Sequence, residues 1–405
     1  MRWEKVEFND VLEKIVGGGT PSKTVSDYWN GDIPWCSVKD MVGDKYQLYS
    51  TEDTITHSGL ENSSSNLIPE GTVITSTRMG LGRAFINMVD MAINQDLKAL
   101  IPNERIDNKF LLWTIVNKRE EIEGLGIGST VKGIRLEVLR GLKINLPPLP
   151  TQRKIASILS AYDDLIENNL KRIKLLEEKA QLHYKELMQE MSYSKTKREE
   201  YIKDCLAFYI GGGWGEEDYK EGFTEPAFVI RGTDIPDAKK GEVKGVPFRY
   251  HKESNLTSRN IQAGDIVFEV SGGSKGQPVG RSILITEKML QQFGKPVMCA
   301  SFCKMLRPNE NVTPEFFYLY LLSSHENGVI AQYEKHSASN IVNYGFEEFI
   351  GEQKITIPKE TELKAFTEKV KPIFTLISTL GEQNSKLREA RDILLPKLMN
   401  GQIEV

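Results

Sequence analysis

The chain has 405 residues, 40% of them hydrophobic and 27% charged, room for two or three domains each with a sizeable core. A net charge of -4 and a pI near 5.9 give no whole-chain electrostatic sign of nucleic-acid binding. No apolar run approaches the ~20 residues of a membrane span, and MRWEKVEFND is neither a signal peptide nor an anchor, so a soluble, cytoplasmic protein without membrane contact is expected.

The first 149 residues read as mixed and mostly β. VEFNDVLEKIVGGGTP predicts a short amphipathic helix ended by Gly17, Gly18 and Gly19, with Thr20 and Pro21 opening a loop. IPWCSVKDM at 33–41 alternates like a strand. LIPEGTVITSTRMGLGRAFI at 67–86 predicts a hairpin with a glycine tip. FLLWTIVNKREEI at 110–122 reads as an amphipathic helix, followed by the glycine-rich GLGIGSTVKGI.

Pro147, Pro148 and Pro150 favour an extended lead-in and place the next helix at Thr151, after which about forty residues pass without glycine or proline. Leu159, Tyr162, Ile166, Asn169, Ile173, Leu176, Ala180, His183 and Leu187 recur three and four apart, a heptad seam. Such a helix is roughly 60 Å long, and its single apolar stripe must lie against another helix.

Past the Lys-rich MSYSKTKREE the same plan returns. YIKDCLAFYIGGGW again places three glycines after an apolar, helix-like run. AFVIRGTDI answers PWCSVKDM, IQAGDIVFEVSGGSKGQPVGRSILI answers the hairpin, FFYLYLLSSHENGVI answers the helix, and ITIPKETEL answers INLPPLPTQ. Gly211 follows Gly17 by 194 residues, as Asp234 follows Asp40; Gly264 follows Gly71 by 193, Phe316 follows Phe110 by 206, and Pro358 follows Pro147 by 211. The extra length falls in and after the second hairpin. A period near 200 is too long for a solenoid. It predicts an α+β chain of two mixed domains in tandem, 1–149 and 195–358, followed by long helices at 150–194 and 359–405. Val370, Ile373, Ile377, Leu380, Asn384 and Leu387 give the last helix a seam of its own, so the two helices are expected to pair with each other. Asn169 and Asn384 either fix register on that seam or face solvent.

Catalytic motifs are largely missing. GQPVGRS at 276–282 lacks the spacing and lysine of a phosphate loop, and Gly124, Gly126 and Gly128 follow a helix rather than a strand. NLPPLP at 145–150 lacks the aromatic of an adenine-methyltransferase motif, the five histidines form no HxxxH pair, and no nuclease signature stands out. Cysteines 36, 205, 299 and 303 have no metal-ligand spacing; Cys299 and Cys303, in the apolar run VMCASFCKML, read as buried thiols, and such usage fits a reducing compartment. What recurs is a set of glycine-basic loops. The first half offers Gly19, Thr20, Lys39, Arg78, Arg83, Lys98, Lys132 and Arg135; the second offers Arg231, Lys275, Arg281, Lys304, Arg307 and Asn340. Glycine permits close backbone approach, and arginine pairs with guanine edges or phosphate. Taken singly, each basic residue reads first as a solvated surface charge; their recurrence at matching places in the two halves is what points to a ligand.

With PPLPTQRKIASILSAYDDLIENNLKRIKLLEE, the C-terminal LREARDILLPKLMNGQI, the GGGTP loop, IPWCSVKD and IPEGTVITSTRMG in view, the chain resembles the specificity subunit of Type I restriction-modification enzymes over essentially its whole length. The resemblance implies two target-recognition domains, each reading half of a split double-stranded DNA target. It implies that the long helices pair antiparallel, set the spacer and dock two methyltransferase subunits. Restriction subunits then join that core. No catalysis and no cofactor is implied for this chain; S-adenosylmethionine, ATP and magnesium belong to its partners. GGGWGEE departs from the family pattern by lacking Thr-Pro after its glycines. A coiled-coil adaptor that binds protein rather than DNA is the alternative.

Overall fold

The structure is a computed structural model and describes residues 3–41, 43, 45–128, 131–193, 198–272, 278–336 and 342–405. The chain divides into two compact units, Met1–Leu165 with Leu387–Val405, and Ile166–Lys386.

In the first unit a five-stranded sheet runs in the order Leu12–Gly17, Leu97–Pro102, Val73–Ser76, Ala84–Asn87, Gln47–Leu48. A four-stranded sheet runs Asp53–Ile55, Trp29–Cys36, Met91–Ile93, Leu67–Ile68. The expected hairpin is present, with Val73 opposite Ile86 and Thr75 opposite Ala84. The helix Asn108–Asn117 buries Phe110, Leu111, Leu112, Trp113 and Ile115 against these strands; a short second helix, Arg119–Gly124, continues it. Ile155 and Leu159 join this core from one long helix, and Leu395 and Leu398 from the other.

The second unit repeats the plan. Its four-stranded sheet runs Leu206–Gly211, Cys303–Pro308, Ile266–Glu269, Ser282–Leu284, and a three-stranded sheet runs Phe248–His251, Glu225–Ile230, Val297–Cys299. Phe268, Phe316, Phe317, Phe349 and Tyr184 fill its core. The match extends to register. Glu4–Glu7 pairs antiparallel with Lys143–Leu146 just before the first long helix, and Arg198–Tyr201 pairs with Lys354–Ile357 just before the second. Trp35–Cys36 runs parallel to Ala92–Ile93, as Phe228–Ile230 runs parallel to Val297–Cys299. Gly71 and Gly264 both turn with positive φ, at 79° and 92°.

Two expected helices are strands. Residues 6–16 form the end of Glu4–Glu7, a 3-10 turn Phe8–Val11 and the strand Leu12–Gly17; residues 201–211 form a 3-10 turn Ile202–Cys205 and the strand Leu206–Gly211. A short apolar run carries no decisive period. Here Leu12–Gly17 is recruited as an edge partner of Leu97–Pro102, and that non-local pairing decides.

The long helices span Leu149–Ser192 and Glu360–Met399. The first therefore starts before Thr151, because proline is tolerated in a first turn, where its missing N–H has no intrahelical partner. Along the seam Leu159, Ile166, Asn169, Ile173 and Ala180 are buried, while Tyr162 and Leu176 are half-buried. Tyr184 rather than His183 then turns inward; His183 faces Glu186 at 3.3 Å. Ile373, Ile377, Leu380 and Asn384 are buried and Leu387 is half-buried. Within the second unit the helices are antiparallel. Asn169 donates to Asn384 at 2.9 Å, whereas Tyr184, far along the first helix, and Phe366, near the start of the second, both pack on Phe316.

Candidate nucleic-acid interface

The glycine loop after Leu12–Gly17 is a packing device. A Cβ on Gly18 would sit 1.9 Å from the Ile93 carbonyl oxygen, and on Gly19, 2.0 Å from Ser64 Oγ. Gly19 is buried: its N–H donates to Ile93 O at 3.0 Å, and its carbonyl accepts from Trp35 Nε1 at 3.0 Å and Ser65 Oγ at 2.6 Å. Its backbone holds the loop shut, which leaves Thr20 to present chemistry. Thr20 donates to Gln95 Oε1 at 2.6 Å, and Lys98 Nζ donates to the Gln95 and Leu97 carbonyls at 2.6 and 3.0 Å. Burial pushes the Lys98 pKa below its ordinary value.

The hairpin tip brings a second group together. Met79 adopts a left-handed φ of 55°, which side chains rarely take, and stands 55% exposed between Arg78 and Arg83. The tip is tied to the next glycine loop through an Arg78–Gly133 bridge and a Met79 N–H donating to Lys132 O at 3.4 Å. Arg78 and Lys132 thus share one surface. Arg78 lies 3.6 Å from Asp96 and keeps over half of its side chain exposed. Arg83 instead donates to the Met41 carbonyl at 2.7 Å, which makes it partly a tether. Arg135 is exposed at the start of the helix Leu136–Arg140. Lys39 is paired with acids, 2.7 Å from Asp53 and 3.4 Å from Glu52; the Asp53 hydrogen bond raises its pKa.

In the second unit most of the predicted cations are clamped by carboxylates. Arg231 donates to Asp234 at 2.9 and 2.7 Å, Arg281 to Glu269 at 2.8 and 2.6 Å, and Arg307 to Asp265 at 2.7 Å twice. Glu269 and Asp265 are buried. Lys304 lies 3.4 Å from Glu347 and over the Phe346 ring. Lys275 and Asn340 lie outside the described residues.

Hydrogen-bond register aligns the two surfaces. Thr75 faces Ala84 and Lys98, and Phe268 faces Ser282 and Lys304; Lys98 faces Gly17, and Lys304 faces Gly211. Ser76 N–H donates to Arg83 O, as Glu269 N–H does to Arg281 O. Arg83 and Arg281 therefore hold one place in the repeat, and Lys98 and Lys304 another. Gly19 N–H meets Ile93 O as Gly213 N–H meets Cys299 O, so Trp214 occupies the place of Thr20 and Phe302 that of Asp96. Neither aromatic was singled out from the sequence. The offset of 194 was the signal, since it carries Thr20 onto Trp214.

A family model described as the Type I restriction modification DNA specificity domain matches residues 1–178. The MjaIX Type I restriction enzyme specificity subunit of Methanocaldococcus jannaschii is 28% identical over all of this chain and 94% of its own length. Residues 1–178 thus match the Type I restriction specificity domain, and the whole chain is similar to Type I specificity subunits. The EcoR124I/EcoR124II specificity subunit of Escherichia coli is 35% identical over 197 residues, 45% of this chain and 48% of that one. The crystal structure of a Type I S subunit from M. genitalium matches with a TM-score of 0.59 at 16% identity, over 98% of this chain and 96% of that one; the two share a fold.

Proposed function

We propose that this chain is the DNA-reading, non-catalytic part of a Type I restriction-modification complex, with each unit reading one half of a bipartite double-stranded target. The observation that carries this reading is the repeat in three dimensions: one framework, matched to single hydrogen bonds, presents different side chains at equivalent places. A shared framework with divergent loops is what two readers of two different half-sites require. The paired long helices set the unread spacer and dock two methyltransferase subunits. Ile158 and Leu165 in the first unit, and Leu175 and Leu182 in the second, support docking because they remain exposed on the first long helix. Restriction subunits join that assembly. S-adenosylmethionine, ATP and magnesium are assigned to those partners, and the complex works in the cytoplasm. Among the described residues no helix is long and apolar enough to cross a membrane.

The test is a methylome of cells expressing the chain with its methyltransferase, which yields both half-sites and the spacer. The assembled complex is expected to bind that split site with a steep salt dependence. Equal affinity for any duplex at about 0.2 M salt overturns sequence-specific recognition. Salt-insensitive binding to protein alone would favour the coiled-coil adaptor.

A further inference from the structure

The second unit contains a cavity of about 730 Å³ whose lining includes Trp214, Phe302, Arg231, Arg281 and Glu269. Trp214 is 38% exposed and Phe302 61%. Each arginine is held by a carboxylate through Nε and Nη2, Arg281 by Glu269 and Arg231 by Asp234, so that among the described residues the Nη1 edge of each is an oriented donor without a hydrogen-bond acceptor. The clamp is built in. A Cβ on Gly232 would lie 2.3 Å from Glu269 Oε1, so only glycine lets that carboxylate reach its place. Trp214 is braced from behind by the Arg249 guanidinium, 4.4 Å from its ring.

At the same two places the first unit has Thr20, which donates to Gln95, and Asp96, whose Oδ1 lies 3.6 Å from the Arg78 guanidinium. The framework therefore does not demand aromatics here, and their exposure calls for a ligand with a flat apolar face. Bases within an intact duplex show only their edges, because their faces are buried in the stack. An aromatic reaches a base face either as a wedge between steps or once the base has left the stack, and a concave cavity lined by both rings fits the second case. Two guanidinium donors beside the rings select a base edge that bears a carbonyl oxygen, as in guanine, thymine or cytosine, and disfavour adenine.

Resting on the DNA-recognition reading above, we propose that this cavity captures one unstacked, carbonyl-bearing nucleobase of the half-site read by the second unit. The first unit reads its own half-site through polar contacts without such a capture.

The experiment uses the complex with its methyltransferase and duplexes of the mapped target in which each base of the second half-site, in turn, faces a non-pairing partner. One position is expected to bind about tenfold tighter or more, because its unpairing has already been done. Its retained base is guanine, thymine or cytosine. Phe302→Ala, at the more exposed of the two rings, and Trp214→Ala are expected to abolish that gain while leaving recognition of the first half-site unchanged. Selective binding of the intact target with no position tightened overturns the proposal and leaves the recognition reading standing. Tightening confined to a retained adenine, or a gain that survives both substitutions, also overturns it. Absence of selectivity for the intact target in the unsubstituted complex overturns the recognition reading itself.

Discussion

Arg391 is 1% exposed, and its Nη1 donates to Asp163 Oδ1 at 2.6 Å, joining the two long helices within the first unit. The guanidinium also stacks 4.8 Å from the Tyr46 ring and contacts Asp392 at 2.8 Å. Burial pushes the Asp163 carboxyl up from 3.8 to about 6, even with Arg391 pulling the other way. The folded pKa thus lies above the unfolded one, so the proton is held more tightly in the folded state. The stability from this carboxyl is fully present below about pH 4 and is lost as the pH rises to about 6, by about 3 kcal/mol in all. Arg391→Met removes the opposing charge at similar length and drives the carboxyl higher still. At pH 8 the variant buries a lone carboxylate and is expected to lose about 3–5 kcal/mol. At pH 5 Asp163 is largely protonated in the variant and the loss shrinks to about 1–2 kcal/mol. Adding Asp163→Asn should restore most of the pH 8 loss, since the buried charge is then gone. Urea unfolding at both pH values, with hydrogen exchange read on first-unit amides, measures this. An equal loss at pH 5 and pH 8, or no recovery in the double variant, refutes a buried ion pair as the clasp between the helices.

Asn169→Leu alone leaves the Asn384 amide buried without its partner and should cost about 1–3 kcal/mol, whereas the Asn169→Leu, Asn384→Leu pair should recover that loss in a double-mutant unfolding cycle. Gly18→Ala drives a Cβ into the Ile93 carbonyl and should destabilise the first unit by about 1–3 kcal/mol in thermal unfolding. Gly17→Ala meets only the flexible Lys98 side chain at 3.7 Å and should be tolerated. Arg78→Ala should weaken reading of one half-site only, by about 1–3 kcal/mol in competition binding if the contact is to a base. Equal loss on both halves assigns Arg78 to phosphate or fold. Arg83→Ala should in addition lower stability, because its tether to Met41 is lost.

Most of the architecture was legible because it rests on periodicity and order. The three-four spacing of Ile166, Asn169 and Ile173 needs only helix geometry, and a second seam from Val370 to Leu387 supplies the partner. The offset of 194 between glycines carried the tandem plan, and the hydrogen-bond registers of the two units repeat it. Cysteines 299 and 303 are buried, as their apolar run implies. The two glycine loops illustrate the limit. Their glycines are visible in the sequence, but residues 6–16 and 201–211 became strands rather than helices through partners some ninety residues away along the chain.

The sequence alone determined the tandem of mixed domains and the pairing of the two long helices, since each depends on spacing or motif order along one chain. The antiparallel sense came from the family resemblance and is seen in the second unit. Tertiary structure alone decided what each charge does. Arg231, Arg281 and Arg307 look equivalent to Arg78 in the sequence, yet three are clamped by Asp234, Glu269 and Asp265 while Arg78 stays largely exposed. It alone also gathered Trp214 and Phe302 around one cavity. Coulombic and stacking partners are set by through-space distance, which falls off within a few ångströms and has no period for a sequence to display.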